Sequence, residues 1–219
     1  MNRRKTIGII AVVTPFWFLA VYLIMAGLRP EYSYLTKAIS ELGSVHAPHR
    51  WIWNIFGFIT PGLAIALLGV GLKSELSDAG RSARVPALAV TASGLFMALA
   101  GVFPGNFINR TAPTMIMHTI GAYGSGIFFL IAGFWLPFVF RKRPHWRWLA
   151  WLSLGLVFGM LAGDFLVGAM RHTTPGLGQR VSFAYYFLWI GVVGYALMRS
   201  ASLAPIRNMR RSAAGASLP

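Results

Sequence analysis

Six apolar stretches, each about 20 residues long and separated by short charged or turn-forming connections, constrain this chain more than any other feature. They run from Ile7 to Leu28, Trp51 to Leu72, Pro86 to Phe103, Pro113 to Phe140, Trp148 to Met170 and Val181 to Met198. Each is long enough, as a helix rising about 1.5 Å per residue, to cross a hydrocarbon layer about 30 Å thick. Water cannot satisfy backbone groups inside that layer, so the expected fold is all-α: a polytopic bundle of six transmembrane helices. Only 11% of the 219 residues are charged, too few to cover a water-soluble surface of this size. The first stretch is too long for a signal-peptide core and has no small-residue cleavage pattern, so it is expected to stay as an anchor.

The net charge of +15 raises the question of nucleic acid, but its distribution answers for a membrane. Fourteen of the twenty Lys and Arg fall on one side: near the N-terminus, between spans two and three, between spans four and five, and after span six. By the positive-inside rule both termini are expected in the cytoplasm, in the inner (cytoplasmic) membrane, and no nucleic-acid partner is expected. Trp51, Trp53, Trp146, Trp148 and Trp151 lie near span ends, where indole rings favour the headgroup zone. Residues 1–200 form the expected membrane domain, and 201–219 an expected basic, disordered cytoplasmic tail. With no cysteine, disulfides, thiolate metal ligation and a Cys nucleophile are excluded. No nucleotide loop, haem motif or nucleophile elbow occurs, and no cofactor is expected.

Small residues suggest how the spans pack. Gly155, Gly159 and Gly163 repeat every four residues on one stripe of span five, with shorter versions at Gly94/Ala98 and Gly121/Ser125. Pro61-Gly62 inside span two predicts a kink whose freed backbone groups neighbours must satisfy.

Versatile side chains gather on the side opposite the basic one. Four of the five His and three of the five acidic residues are expected there, on the outward face. Tyr32 to Gly43 has the pattern of a short amphipathic helix in the first outer loop, closed by Gly43, with Lys37 and Glu41 spaced for an i,i+4 ion pair. Asp164 lies inside span five about two turns from its end, where an unpaired carboxylate costs several kcal/mol. Arg171 and His172 follow at i+7 and i+8, and one of these or Arg180 is the expected counter-charge. Ser40, Glu41, Asn54, His118, Asp164, Gln179 and Arg180 are therefore the candidate ligand-binding residues.

Three functions compete on these residues. The favoured one is a non-catalytic membrane protein binding a lipid headgroup or small amphiphile in an outward-facing polar pocket. The second is a metal-dependent lipid hydrolase with His46, His49, His118 and His172 as ligands, although Pro48 interrupts the first pair and no HExxH motif exists. The third is a small proton-coupled carrier titrating Asp164.

Ile39-Ser40-Glu41-Leu42-Gly43 after the first span, Gly101-Val102-Phe103-Pro104 ending the third, His118 opening the fourth and Gly176-Leu177-Gly178-Gln179-Arg180 before the sixth resemble the bacterial family called domain of unknown function 998. The likeness runs from the first span to the sixth and implies a six-span membrane protein without an assigned activity. Similar sequences often carry an acidic residue after the Phe-Pro motif; this one has Asn106.

Overall fold

A computed structural model describes residues 2–215, with the side chains of Pro175 and of residues 203–215 left aside. Six helices are long and apolar enough to cross a membrane: α1 (Arg3–Gly27), α2 (Arg50–Glu75), α3 (Arg81–Val102), α4 (Pro113–Arg141), α5 (Arg147–Ala169) and α6 (Pro175–Gly215), of which Gly176–Ser202 is the apolar part. The chain is a multi-pass membrane protein whose span boundaries fall within a few residues of those expected. The tail expected over 201–219 lies, past Ser202, outside the described side chains.

Each helix packs against its neighbours in sequence, and α6 closes onto α1, so the six form a ring around a core that includes Leu68, Phe129 and Trp189. The closest approaches use residues without a side chain to interpose. A Cβ on Gly94 of α3 would lie 2.4 Å from the Gly62 carbonyl oxygen of α2, and one on Gly163 of α5 would lie 2.3 Å from the Ser182 nitrogen of α6. The expected stripe on α5 is only partly used: Gly159 faces the Tyr185 ring, while Gly155 faces open space. Buried hydroxyls tie the layers across the middle. Ser93 of α3 donates to the Ser125 carbonyl of α4 (2.8 Å) and lies 3.0 Å from the Tyr186 hydroxyl of α6. Trp189 Nε1 donates to Ser153 of α5 (2.6 Å).

The interruption of α2 sits one turn earlier than expected from Pro61-Gly62. Residues Asn54–Ile59 are π-helical, with Thr60 N–H donating to the Ile55 carbonyl. Proline has no N–H to continue that wider register, so Pro61 cannot supply the donor that the Phe56 carbonyl would otherwise take from it. Trp17 of α1 supplies one: its Nε1 donates to Phe56 O at 2.9 Å.

The amphipathic helix expected over Tyr32 to Gly43 exists only at its end, as a 3₁₀ turn over Ile39–Gly43. It does not lie on a surface: Ile39, Ser40, Leu42 and Gly43 are all buried. Its residues pack into the mouth of the ring, and burial on every side favours a compact turn over a helix with one wet face. Likewise Trp53 and Trp146 are buried in the protein, while Trp51, Trp148 and Trp151 stay exposed as expected of interfacial indoles.

Candidate functional site

The candidate residues cluster at the end of the bundle that carries residues 28–49, 103–112 and 170–174, called here the first-loop end. Arg180, on the opening turns of α6, organises it. Its Nε donates to the Tyr22 hydroxyl of α1 at 2.6 Å, and one terminal nitrogen donates to the Tyr32 hydroxyl at 2.7 Å. The other donates to the carbonyls of Lys37 (3.0 Å) and Gly176 (2.6 Å). Guanidinium carries five N–H groups, and four are engaged. The rings of Tyr22, Tyr32 and Tyr34 meet edge to face and surround the cation, with centroids 5.5, 5.5 and 5.7 Å from its Cζ. Gly176 makes room: a Cβ there would stand 2.6 Å from both the Arg180 guanidinium and the Lys37 carbonyl oxygen.

The neighbouring side chains complete a latch on the 3₁₀ turn. Gln179 Oε1 accepts from the Ile39 N–H at 2.6 Å. Glu41 accepts from the Ala38 N–H at 2.8 Å and meets Lys37 Nζ at 3.3 Å, so the ion pair expected from the spacing forms without an α-helix beneath it. Arg29 donates to the Glu41 carbonyl (3.1 Å) and to Glu31 (2.7 Å). That Arg29 hydrogen bond holds the exposed Glu31 carboxyl below the usual carboxylate range. Burial pushes the Tyr32 hydroxyl well above the ordinary tyrosine value, even against the attraction of the Arg180 charge.

Beneath the latch, Asn54 Nδ2 donates to the Gly43 carbonyl at 2.9 Å. The other half of that amide, Oδ1, and the adjacent Trp53 Nε1 are buried and have no hydrogen-bond partner. Both flank one turn: a Cβ on Gly43 would meet Asn54 Oδ1 at 2.1 Å and Trp53 Cδ1 at 2.5 Å. Asn54 also packs its backbone carbonyl against Gly101 of α3. One residue earlier, the Ala100 carbonyl accepts from His118 Nδ1 at 2.8 Å, and the Phe103 carbonyl accepts from the same nitrogen at 3.0 Å. Carbonyls only accept, so Nδ1 carries a ring proton, and in the neutral ring Nε2 is an acceptor. Phe58 bridges the two positions, with ring centroids 5.5 Å from Trp53 and 6.0 Å from His118.

Ser40, Glu41, Asn54, Gln179 and Arg180 thus meet around the turn, and His118 stands one helix away. Asp164 does not join them, and its expected counter-charges are engaged elsewhere. It accepts from the Ser182 hydroxyl at 2.7 Å. Arg180 and Ser182 are two residues apart, about 200° around α6, so Arg180 faces the first loop while Ser182 faces α5. Arg171 and His172 lie past the end of α5, where Arg171 Nε donates to His172 Nε2 at 2.9 Å. Among the described residues no group of three or more His, Asp or Glu is placed to hold a metal ion, and the four histidines do not gather into one.

Three residues central to the latch, Tyr22, Tyr32 and Tyr34, were not singled out from the sequence. The available signal was Tyr-x-Tyr following a tyrosine near the end of a span, a pattern shared with any aromatic interfacial belt. A family model described as a protein of unknown function (DUF998) matches residues 12–196. No curated protein and no solved structure matches the chain.

Proposed function

We propose that this chain, which belongs to the DUF998 family, is a non-catalytic membrane protein that holds the polar head of a lipid or small amphiphile at its first-loop end. The segment 28–49 covers the site, and Arg180, Gln179 and Glu41 latch it down. The supporting observation is the orphaned pair beneath the latch, Trp53 Nε1 and Asn54 Oδ1. A buried polar group without a partner costs about 1–3 kcal/mol. A donor and an acceptor flanking the same turn suit a guest that both accepts and donates, such as a hydroxyl-bearing headgroup. Ser40 sits in the covering turn, and His118 stands beyond Phe58 from Trp53. Asp164 has no part in this reading. The Lys and Arg distribution supports an orientation with both termini cytoplasmic, which directs this end outward in the inner membrane.

The test is purification of the full chain in mild detergent without added lipid, followed by native mass spectrometry. A bound amphiphile with a hydroxylated head is expected, reduced in Asn54→Leu, which deletes the amide, and lost in Arg180→Ala, which releases the cover. Two results would overturn the proposal: a ligand-free preparation that melts at the same temperature before and after exhaustive delipidation, or a single ordered water bridging Trp53 Nε1 and Asn54 Oδ1, since one water satisfies both groups.

A further inference from the structure

The opposite end of the bundle holds a cleft of about 460 Å³ between the ends of α2 and α4, the two connections 76–80 and 142–146, and Ser200 of α6. That volume lies in the range of small-molecule and cofactor sites. Its acidic lining is already neutralised. Glu75 accepts from Arg4 and Ser200, and Asp78 accepts from Arg143. Lys142 and His145, on the same rim, are exposed and take part in no ion pair among the described residues. The cleft therefore presents uncompensated basic groups to whatever enters. A smaller recess of about 210 Å³ shares His145 and Ser200 and adds Arg199, extending the basic rim without adding an acid.

The remaining wall is apolar and faces sideways. Trp135 and Phe138, on the last two turns of α4, line the cleft while staying 42% and 59% exposed. On a membrane-spanning helix such exposure is contact with acyl chains. One side of the cleft thus meets the aqueous boundary with cations, and the other meets hydrocarbon with aromatic rings. A soluble anion would use only the first. We infer that this cleft binds an anionic phospholipid, with the headgroup phosphate on Lys142 and His145 and the upper acyl chain along Trp135 and Phe138. The residues are separate from those of the first-loop site, so either reading stands without the other.

The experiment uses the full chain in phosphatidylcholine vesicles with or without phosphatidylglycerol, one or other lipid carrying bromine on its acyl chain. Bromine quenches nearby indoles, and the part of the quenching lost in Trp135→Phe, a change at an exposed position, belongs to the cleft. That part is expected to favour brominated phosphatidylglycerol over brominated phosphatidylcholine. The preference is expected to fall about fivefold in Lys142→Gln and further when His145→Gln is added. Equal quenching by the two lipids would overturn the inference, as would a preference that survives the double replacement. Loss of the preference on adding inorganic phosphate would also overturn it, by making free phosphate the occupant.

Discussion

At the first-loop end Arg180 has four of its five N–H groups bonded to partners drawn from α1, the connecting segment and its own helix. At the opposite end Arg143 meets an Asp78 side chain that is 74% exposed, and its neighbour Lys142 meets no acid among the described residues. The first end is poorer in charge, yet Arg180 is enclosed and holds a loop in place. The second is richer in charge, pairs Arg4 and Arg143 with acids, and leaves Lys142 facing outward, available to an incoming anion. Both guanidiniums are partly buried, and the difference lies in their partners: Arg180 is bonded to groups of the fold itself, whereas Arg143 meets a carboxylate that water already solvates and Lys142 is itself exposed.

The contrast can be broken most directly at Arg180. Arg180→Ala leaves the hydroxyls of Tyr22 and Tyr32 and the Lys37 carbonyl without their donor, and should destabilise the fold by about 2–4 kcal/mol. Hydrogen exchange should show the loss concentrated in residues 29–49. Arg180→Lys should recover less than half, since a compact ammonium cannot reach four acceptors arranged around a planar fork. Equal protection of that segment in wild type and Arg180→Ala would erase the distinction between the two ends.

A smaller effect follows from Tyr32, whose hydroxyl ionises less readily in the folded protein than its ordinary value near 10. The folded state favours the neutral phenol, so this contribution is complete below pH 10 and is lost as pH rises further. Melting temperature should fall above that pH in wild type more than in Tyr32→Phe. The replacement itself should cost about 1 kcal/mol at neutral pH for the lost hydrogen bonds. Parallel pH profiles for the two proteins would show that the phenol is not held neutral by its burial.

The smallest effect belongs to the open end. Arg143→Ala should change stability by no more than about 0.5 kcal/mol, because its partner is largely hydrated. A loss comparable with that of Arg180→Ala, measured in the same thermal melts, would mean that the basic end is braced as firmly as the other.

Much of the first-loop site was legible as composition and spacing. The Lys37–Glu41 pair followed from an i,i+4 offset, and Gln179 and Arg180 stood out as polar residues opening an apolar span. Asp164 was marked as needing a partner, with Arg171, His172 or Arg180 expected, and the Ser182 hydroxyl meets it instead. Those residues miss it for two reasons: Arg171 and His172 lie past the end of α5, and the turn of α6 carries Arg180 to the side away from α5. Tyr22 escaped notice and Trp53 was read as an interfacial indole, because aromatic residues near span ends fit the interface equally well, and only packing decides whether a ring faces lipid or protein. The π-helical stretch before Pro61 was hidden for a related reason, since one extra residue in a turn barely changes an apolar pattern.

What the sequence determined by itself is that the chain crosses a membrane six times as helices. That outcome is a sum of local transfer energies, and every apolar residue in a run contributes to it whatever its neighbours do. What only the tertiary structure decided is which polar groups meet. Tyr32 and Arg180 are 148 residues apart, and their bond depends on α6 closing the ring against α1. Such pairing is a property of distance and direction in space, and no single run of residues carries it.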